Sequence, residues 1–281
     1  MNETPRAGQV KEITSLANPV IKDIRGLALK KNRDAQKQFI AEGMKLVTDA
    51  LEGNWPVHVL IYAKRMAHEP HLQAVAAMAR ARGALILEVS EKVLGTISRR
   101  DNPQMVIAVF GQRWSELSSI KPRNNDVWVA LDRVRDPGNL GTVIRTVDAA
   151  GAKGVILVGE STDPFSLEAV RATMGSIFAV PVVKASQEAF LVWRKGFPGL
   201  VAGTHLKGAV DYRAAAFGDG PVLLLMGNEQ QGLPDVLAQS CDRLLKIPQA
   251  GRADSLNLAV ATGIMLYEVR RSALPFTDRP V

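Results

Sequence analysis

The sequence has one cysteine, Cys241, in 281 residues. That excludes an internal disulfide framework and any cysteine metal cluster, and it suits a small buried filler at a helix end. It has no run of 18 apolar residues, so no membrane span is expected. The first residues, Met1 to Lys11, are polar and lack the apolar core of a signal peptide; with the single cysteine this sets an expectation of a cytoplasmic protein. There is no G-x-G-x-x-G, no P-loop, no convincing hydrolytic triad, no internal repeat and no low-complexity tract. The four histidines, His58, His68, His71 and His205, form no metal spacing. Trp55, Trp114, Trp128 and Trp193 are scattered, which suits packing better than a stacking platform.

What is present is an ordinary globular composition, 47% hydrophobic and 22% charged, on a chain long enough for two domains. The charge is uneven. Residues 1–125 hold 19 Lys+Arg against 12 Asp+Glu, and residues 126–281 hold 16 of each, so the whole excess of +7 lies in the first part. A basic module joined to a neutral one suggests a half that docks a polyanion and a half that carries chemistry.

Residues 1–12 are expected to be disordered. From Ile13 the pattern reads as helical: Asn18-Pro19 opens a segment with Val20, Ile21, Ile24, Leu27 and Leu29 on one side and Lys22, Arg25, Lys30, Lys31 and Arg33 on the other. Those five cations are the candidate polyanion contacts. Alternating strands and helices follow to Phe110, with helices at 44–51, 71–82 and 91–97 and strands at 57–62, 84–89 and 105–110. This is a small α/β domain over 13–110. Residues 111–126 are polar and read as a linker.

The second domain, 127–281, shows short apolar strands at 127–131, 155–158, 178–183, 200–202, 222–226 and 244–247 with helices between them, the pattern of a parallel sheet covered on both faces. Such sheets bind ligands beyond the carboxyl ends of their strands. Three loops lie there. The first is Asp132–Gly141, which leads into a helix carrying Arg145. The second is Gly227-Asn228-Glu229-Gln230-Gln231-Gly232. The third is Ile247–Asn257, where Asp254 or Ser255 is expected to cap a helix running to about Arg271. Together they place Asn139, Arg145, Glu229, Ser255 and Asn257 at sheet-end loops. That polar cluster has no histidine, cysteine or metal-ligand set, and it suits transfer of an already activated group to a weak nucleophile.

In this order the loops resemble those of the SpoU (TrmH-like) RNA ribose 2′-O-methyltransferases of the SPOUT class. The resemblance rests on Arg135-Asp136-Pro137-Gly138-Asn139-Leu140-Gly141 with Arg145, on Gly227-Asn228-Glu229 with Gly232-Leu233, and on Ile247-Pro248 with Gly251 and Ser255-Leu256-Asn257. Arg171-Ala172-Thr173-Met174-Gly175-Ser176 also matches a segment usual in the family. Phe39-Ile40-Ala41-Glu42-Gly43 is similar to the family's substrate-binding domain, which looks like a ribosomal-protein fold. Gln249 stands where the family usually has methionine, and Asp254 where a small or apolar residue is common.

The resemblance implies an α/β chain with a C-terminal knotted (trefoil) parallel-sheet domain and a smaller N-terminal RNA-binding domain. It implies S-adenosyl-L-methionine as donor, with S-adenosyl-L-homocysteine as product, held mostly by backbone groups at Gly227, Ile247 and Leu256 with Thr204 and Met226 nearby, and no metal. It casts Asn139, Arg145, Glu229, Ser255 and Asn257 as catalytic. It implies a homodimer using the last helix, whose Leu258, Ala261, Ile264, Met265 and Val269 form an apolar stripe. The RNA would be ribosomal in preference to transfer RNA, because a separate basic N-terminal domain accompanies the family's rRNA enzymes. A tRNA 2′-O-methyltransferase and a non-catalytic RNA-binding protein of the same fold are the alternatives.

Overall fold

The computed structural model describes residues 10–205 and 210–274, which form two compact units. One holds residues 10–113 together with Asp163–Phe178; the other holds Trp114–Thr162 together with the chain from Ala179 onward.

The first unit runs β1 (Val10–Ile13), α1 (Pro19–Gly26), α2 (Lys30–Gln36), β2 (Gln38–Glu42), α3 (Met44–Glu52), β3 (Val57–Ala63), α4 (Pro70–Ala81), β4 (Leu85–Val89), α5 (Glu91–Ser98) and β5 (Val106–Gly111). Its five-stranded sheet has the order β1-β4-β3-β5-β2. β1, β4 and β3 are parallel, and β5 is antiparallel to both β3 and β2. Asn18 caps α1 by accepting from Val20 N at 2.9 Å, and Pro19 opens the first turn, where its missing N–H costs nothing.

Two expectations change here. Val10–Ile13 is a strand, not disordered chain, because it pairs in register with Ile86–Val89; residues 1–9 lie outside the described residues. The single helix after Asn18 is two, broken at Leu27–Leu29. Phe39-Ile40 sits in a strand, buried on both faces.

The second unit runs β6 (Val127–Asp132), α6 (Pro137–Ala149) and β7 (Gly154–Val158). The chain then gives α7 (Leu167–Thr173) to the first unit. It continues with β8 (Val182–Ala185), α8 (Gln187–Arg194), β9 (Leu200–Thr204), β10 (Val210–Asp211), β11 (Val222–Met226), α9 (Asp235–Ala238), β12 (Arg243–Lys246) and α10 (Leu258–Val269). The seven strands form one sheet, β10-β12-β9-β11-β6-β7-β8, parallel at every pairing. β6, β7 and β11 are buried along their whole length, as a sheet covered on both faces requires.

The apolar run at 178–183 is not one strand. Phe178 ends a 3-10 turn within the first unit, and the ladder resumes only at Val182, after Pro181, which has no N–H to give. The polar stretch after Gly111 does more than connect. Ser115 N donates to Val182 O at 2.9 Å on the edge strand β8, and Ile120 is buried in the second core. β10 was not anticipated; two residues are too short to leave a periodic signal.

The Asp163–Phe178 segment is fixed within the first unit by ion pairs and aromatic packing. Arg33 pairs with Asp163 at 2.7 Å. Phe165 and Phe178 join Phe39, Trp55 and Phe110 in an aromatic cluster with ring centroids 4.8–6.2 Å apart. Trp55 Nε1 donates to Phe178 O at 2.9 Å. Arg171 forms a two-pronged pair with Glu42, Nε to Oε2 at 3.0 Å and Nη2 to Oε1 at 2.9 Å, and Nη2 also donates to Ser98 O at 2.6 Å. Burial pushes the Glu42 carboxyl above its ordinary range, and the Arg171 guanidinium only partly offsets that. The two family-like stretches that carry Glu42 and Arg171 are therefore partners in one ion pair.

Candidate active site

The order β12-β9-β11-β6 sets the carboxyl ends of four neighbouring strands side by side, so loops far apart in sequence converge. After β6, Asp136 caps α6 by accepting from Asn139 N at 2.6 Å, with Pro137 in the first turn. After β11 the chain folds back: Asn228 N donates to Gly232 O at 3.2 Å and Gly232 N to Asn228 O at 3.0 Å. The buried Asn228 side chain accepts from Gln230 N and Gln231 N at 2.9 and 2.7 Å. A Cβ on Gly227 would lie 2.1 Å from Gly232 C and Leu233 N, so only glycine permits this closure. Glu229 is left exposed at its tip.

The third loop ends differently from expectation. Asn257, and neither Asp254 nor Ser255, caps α10, accepting from Ala259 N at 2.9 Å and Val260 N at 3.2 Å; the helix starts at Leu258 and ends at Val269. An asparagine carbonyl reaches both free N–H groups from there, and residues 251–256 stay exposed and non-helical.

The three loops are joined by one polar relay. Asn257 Nδ2 donates to Asn139 Oδ1 at 2.8 Å, and Asn139 Nδ2 donates to Glu229 Oε1 at 3.1 Å. The amide orientations are self-consistent. Asn257 uses its oxygen for the helix cap and its amide for Asn139, which in turn points its own amide to the carboxylate. Two residues that the sequence left without roles, Asp136 and Asn228, hold the relay's loops. The capping pattern Asp136-Pro137 ahead of a helix was the readable signal for the first.

The structure does not bring the other two candidates into the relay. Arg145 lies on α6, six residues and about 9 Å of helix rise beyond Asn139. It is exposed and forms no hydrogen bond or ion pair among the described residues. Ser255 is likewise exposed and unbonded among them.

Thr204, Met226 and Ile247 stand at the ends of β9, β11 and β12, three adjacent strands. Thr204 Oγ1 is 3.8 Å from Met226 Sδ. Met226 and Gly227 are buried, Ile247 is half-buried, and Leu256 on the following loop is 38% exposed. A cleft of 560 Å³ is lined by Asp211, Lys246, Pro248, Gln249, Gly251, Ala253 and Asp254, on β10, the end of β12 and the loop after it; none of the five donor candidates is among these lining residues. Both departures from the family pattern, Gln249 and Asp254, line it. Arg213 donates to Asp211 from its side chain and backbone and holds that carboxyl down to about 2. Cys241 is held as a thiol, pushed up to about 12 by burial. Among the described residues no group of three or more His, Cys, Asp or Glu could hold a metal.

Of the candidate RNA contacts, Lys22, Arg25 and Lys31 are exposed on α1 and α2, and Lys30, also exposed, pairs with Asp34 at 2.9 Å. Arg33 is a correction. It is 4% exposed, and besides Asp163 its guanidinium bonds to Leu27 O at 2.7 Å and Ala28 O at 2.9 Å. The break between α1 and α2 turns its side chain inward, so it holds the fold and faces no RNA.

Three comparisons with known proteins agree. Residues 126–267 match the family described as "SpoU rRNA Methylase family", and residues 18–108 match "MRM3-like substrate binding domain". A crystal structure of an AdoMet-bound rRNA methyltransferase from Sinorhizobium meliloti is 59% identical, covers 95% of this chain and 99% of its own, and superposes with a TM-score of 0.91. The 23S rRNA (guanosine(2553)-2′-O)-methyltransferase RlmP of Bacillus subtilis is 31% identical over 93% of this chain and 100% of its own. The 23S rRNA (uridine(2479)-2′-O)-methyltransferase of Streptomyces viridochromogenes is 31% identical over 88% of each.

Proposed function

The chain belongs to the SpoU rRNA methylase family, and on that premise we propose that it transfers a methyl group from S-adenosylmethionine to a ribose 2′-hydroxyl of ribosomal RNA. The observation that carries this reading is the Asn257–Asn139–Glu229 relay, which ties three strand-end loops into one polar surface.

The donor fits these residues. Gly227 allows the backbone to close on itself, and Thr204, Met226 and Ile247 share one edge of the sheet. In this reading backbone groups at Gly227, Ile247 and Leu256 hold it, with Thr204 and Met226 against it. Bound there, it supplies a methyl carbon activated by a sulfonium. The chain's own task is the hydroxyl, a poor nucleophile until its proton leaves. Arg145 is no base for that proton, since a guanidinium carries N–H donors and no acceptor. Its role is to stabilise the developing alkoxide, the proton leaving through a phosphate or water. Without a partner among the described residues, its planar fork is open for a ribose oxygen and an adjacent phosphate. Glu229 fixes Asn139, and Asn257 fixes Asn139 from the other side, so the relay orients the ribose. Ser255 lies on the same loop and adds a hydroxyl. Positioning of two bound substrates supplies much of the acceleration.

Lys22, Arg25, Lys30 and Lys31 give the first unit an exposed cationic face for phosphates. A homodimer through α10 belongs to this reading, with a changed surface. Leu258 and Met265 are buried in the unit's own core, and the outward apolar face is Val260, Ile264 and Tyr267, with Val260 52% and Tyr267 51% exposed. The full chain should sediment as a dimer, and Val260→Glu with Tyr267→Glu as a monomer; a monomeric wild type at micromolar concentration rejects it. A trefoil knot is also part of the reading. β12 lies beyond β9, yet the chain after it returns to pack α10 on α6 and β11. An experimental chain trace in which α10 lifts away without threading the 222–242 loop would rule it out. A cytoplasmic enzyme belongs to the same reading, and recovery in a membrane pellet would contradict it.

Labelled methyl transfer to deproteinised ribosomal RNA and to transfer RNA, with mapping of ribose methylation in a deletion strain, tests the function. A missing 2′-O-methyl in ribosomal RNA is the expected outcome. A mark lost only from transfer RNA, or no transfer at all, overturns it.

A further inference from the structure

Six described non-glycine residues have positive φ, and two of them sit at neighbouring helix ends in the first unit. Arg99 ends α5 at φ 56 and Met174 ends α7 at φ 52. Arg171, one turn before Met174, ties the two ends together by donating to Ser98 O while it grips Glu42. Left-handed helix ends favour glycine or asparagine, and a long side chain there strains the backbone. For Arg99 the helix dipole offsets part of this, since a cation at a carboxyl end is favoured. Met174 has no such offset. It is 52% exposed, an apolar side chain on strained backbone facing water.

The surroundings hold it there firmly. Thr173, fully buried, donates its hydroxyl to Val170 O at 2.7 Å and accepts from Gly175 N. Gly175, at φ 104, packs so closely on α3 that a Cβ would lie 2.8 Å from Asp49 Oδ2 and 4.0 Å from Lys45 Nζ. Lys45 is exposed and pairs with Asp49. Arg99 and Arg100 are exposed without an ion pair among the described residues, against one nearby exposed acid, Asp101. Strain that the surroundings enforce on an exposed side chain points to use of that side chain.

We propose that Met174, whose neighbour Gly175 packs beside Lys45 and whose helix is tied through Arg171 to the α5 end carrying Arg99 and Arg100, is a docking surface for an unpaired nucleotide of the RNA, the base lying against the thioether chain and the flanking phosphates on the cations. A flexible, polarisable side chain suits the face of any base, so the docking anchors without selecting sequence. This surface is separate from the α1–α2 cations, and it is completed by a segment that enters the first unit from within the methyltransferase sequence, between β7 and β8. The inference rests on the RNA-methyltransferase reading.

Glycine relieves the strain at φ 52, so Met174→Gly separates a binding role from a folding role. With the full chain and a fluorescein-labelled uridine dodecamer, it should weaken binding about tenfold, the effect of removing one stacked base. KM for ribosomal RNA should rise to match, with S-adenosylmethionine affinity unmoved and the unfolding midpoint equal or higher. Met174→Leu should restore binding to within about twofold. Arg99→Gln with Arg100→Gln should flatten the salt dependence by roughly 0.7 per cation. Wild-type affinity in Met174→Gly overturns the proposal, as does a loss that tracks a lowered midpoint and is not restored by leucine. If the wild type methylates no RNA, the function reading fails while the dodecamer arm still judges this surface.

Discussion

Two sets of charged residues, one in each unit, are used in opposite ways. In the first unit Arg33–Asp163 and Arg171–Glu42 are ion pairs inside the fold, and their donors are filled by carboxylates and by backbone carbonyls. At the strand ends of the second, Glu229 and Arg145 are both exposed, Glu229 accepts one neutral amide, and Arg145 has no partner among the described residues. A charge whose bonding capacity is filled in the folded chain is structural. A charge left with capacity to spare at the ends of parallel strands is available to a ligand. By that rule Arg33 and Arg145, both candidate site residues in the sequence, part company.

The largest effect expected from breaking this comparison is on folding. Arg33→Ala strands Asp163 in the interior and should lower stability by about 3–5 kcal/mol, as when one partner of a buried pair is removed. Denaturant unfolding of the full chain checks it; an unchanged midpoint together with weakened RNA binding would return Arg33 to the RNA face. Next, Arg145→Ala should cut single-turnover methylation about a hundredfold or more, the effect of losing one preorganised stabilising donor. Donor affinity measured by calorimetry should move by only a factor of a few, and Arg145→Lys should rescue little, lacking the planar fork. Near wild-type turnover, or donor affinity falling in step with activity, removes Arg145 from this role. The smallest effect sharpens the contrast within the first unit. Neutralising Lys22, Arg25, Lys30 and Lys31 to glutamine should flatten the salt slope of RNA binding by roughly 0.7 to 0.9 for each phosphate left without its cation, with folding untouched. A slope equal to that of wild type sinks the α1–α2 face as a docking site. Deleting residues 1–110 is a poorer experiment, because it uncovers Phe165, Phe178 and Arg171, which pack against that stretch.

Much of this was legible in the sequence because local chemistry carried it. The strand over Val222–Met226 was readable from its apolar run bounded by proline and glycine, and the parallel sheet from the alternation of such runs with helices. The three loops were readable because their residue types are demanded locally: glycine at 227 by a backbone closure, Asp136-Pro137 by a helix start. Where two local candidates competed, local reading failed. Asp254, Ser255 and Asn257 are all good caps, and the choice fell to Asn257, which also reaches Asn139, 118 residues away.

By itself the sequence determined the strands and helices that announce themselves by period, the basic first half, and the residue types at the strand ends, since these depend on neighbours a few positions apart. Tertiary structure alone decided which polar groups meet. It paired Asn139 with Glu229 and Asn257, turned Arg33 inward to Asp163, joined Glu42 to Arg171, and sent Asp163–Phe178 into the other unit. Each of those bonds spans 90 to 130 residues, and no periodicity records a partner at that distance. Only the packed chain fixes it, because an apolar segment goes where enough apolar surface awaits it, and the polar groups it carries must then find partners there.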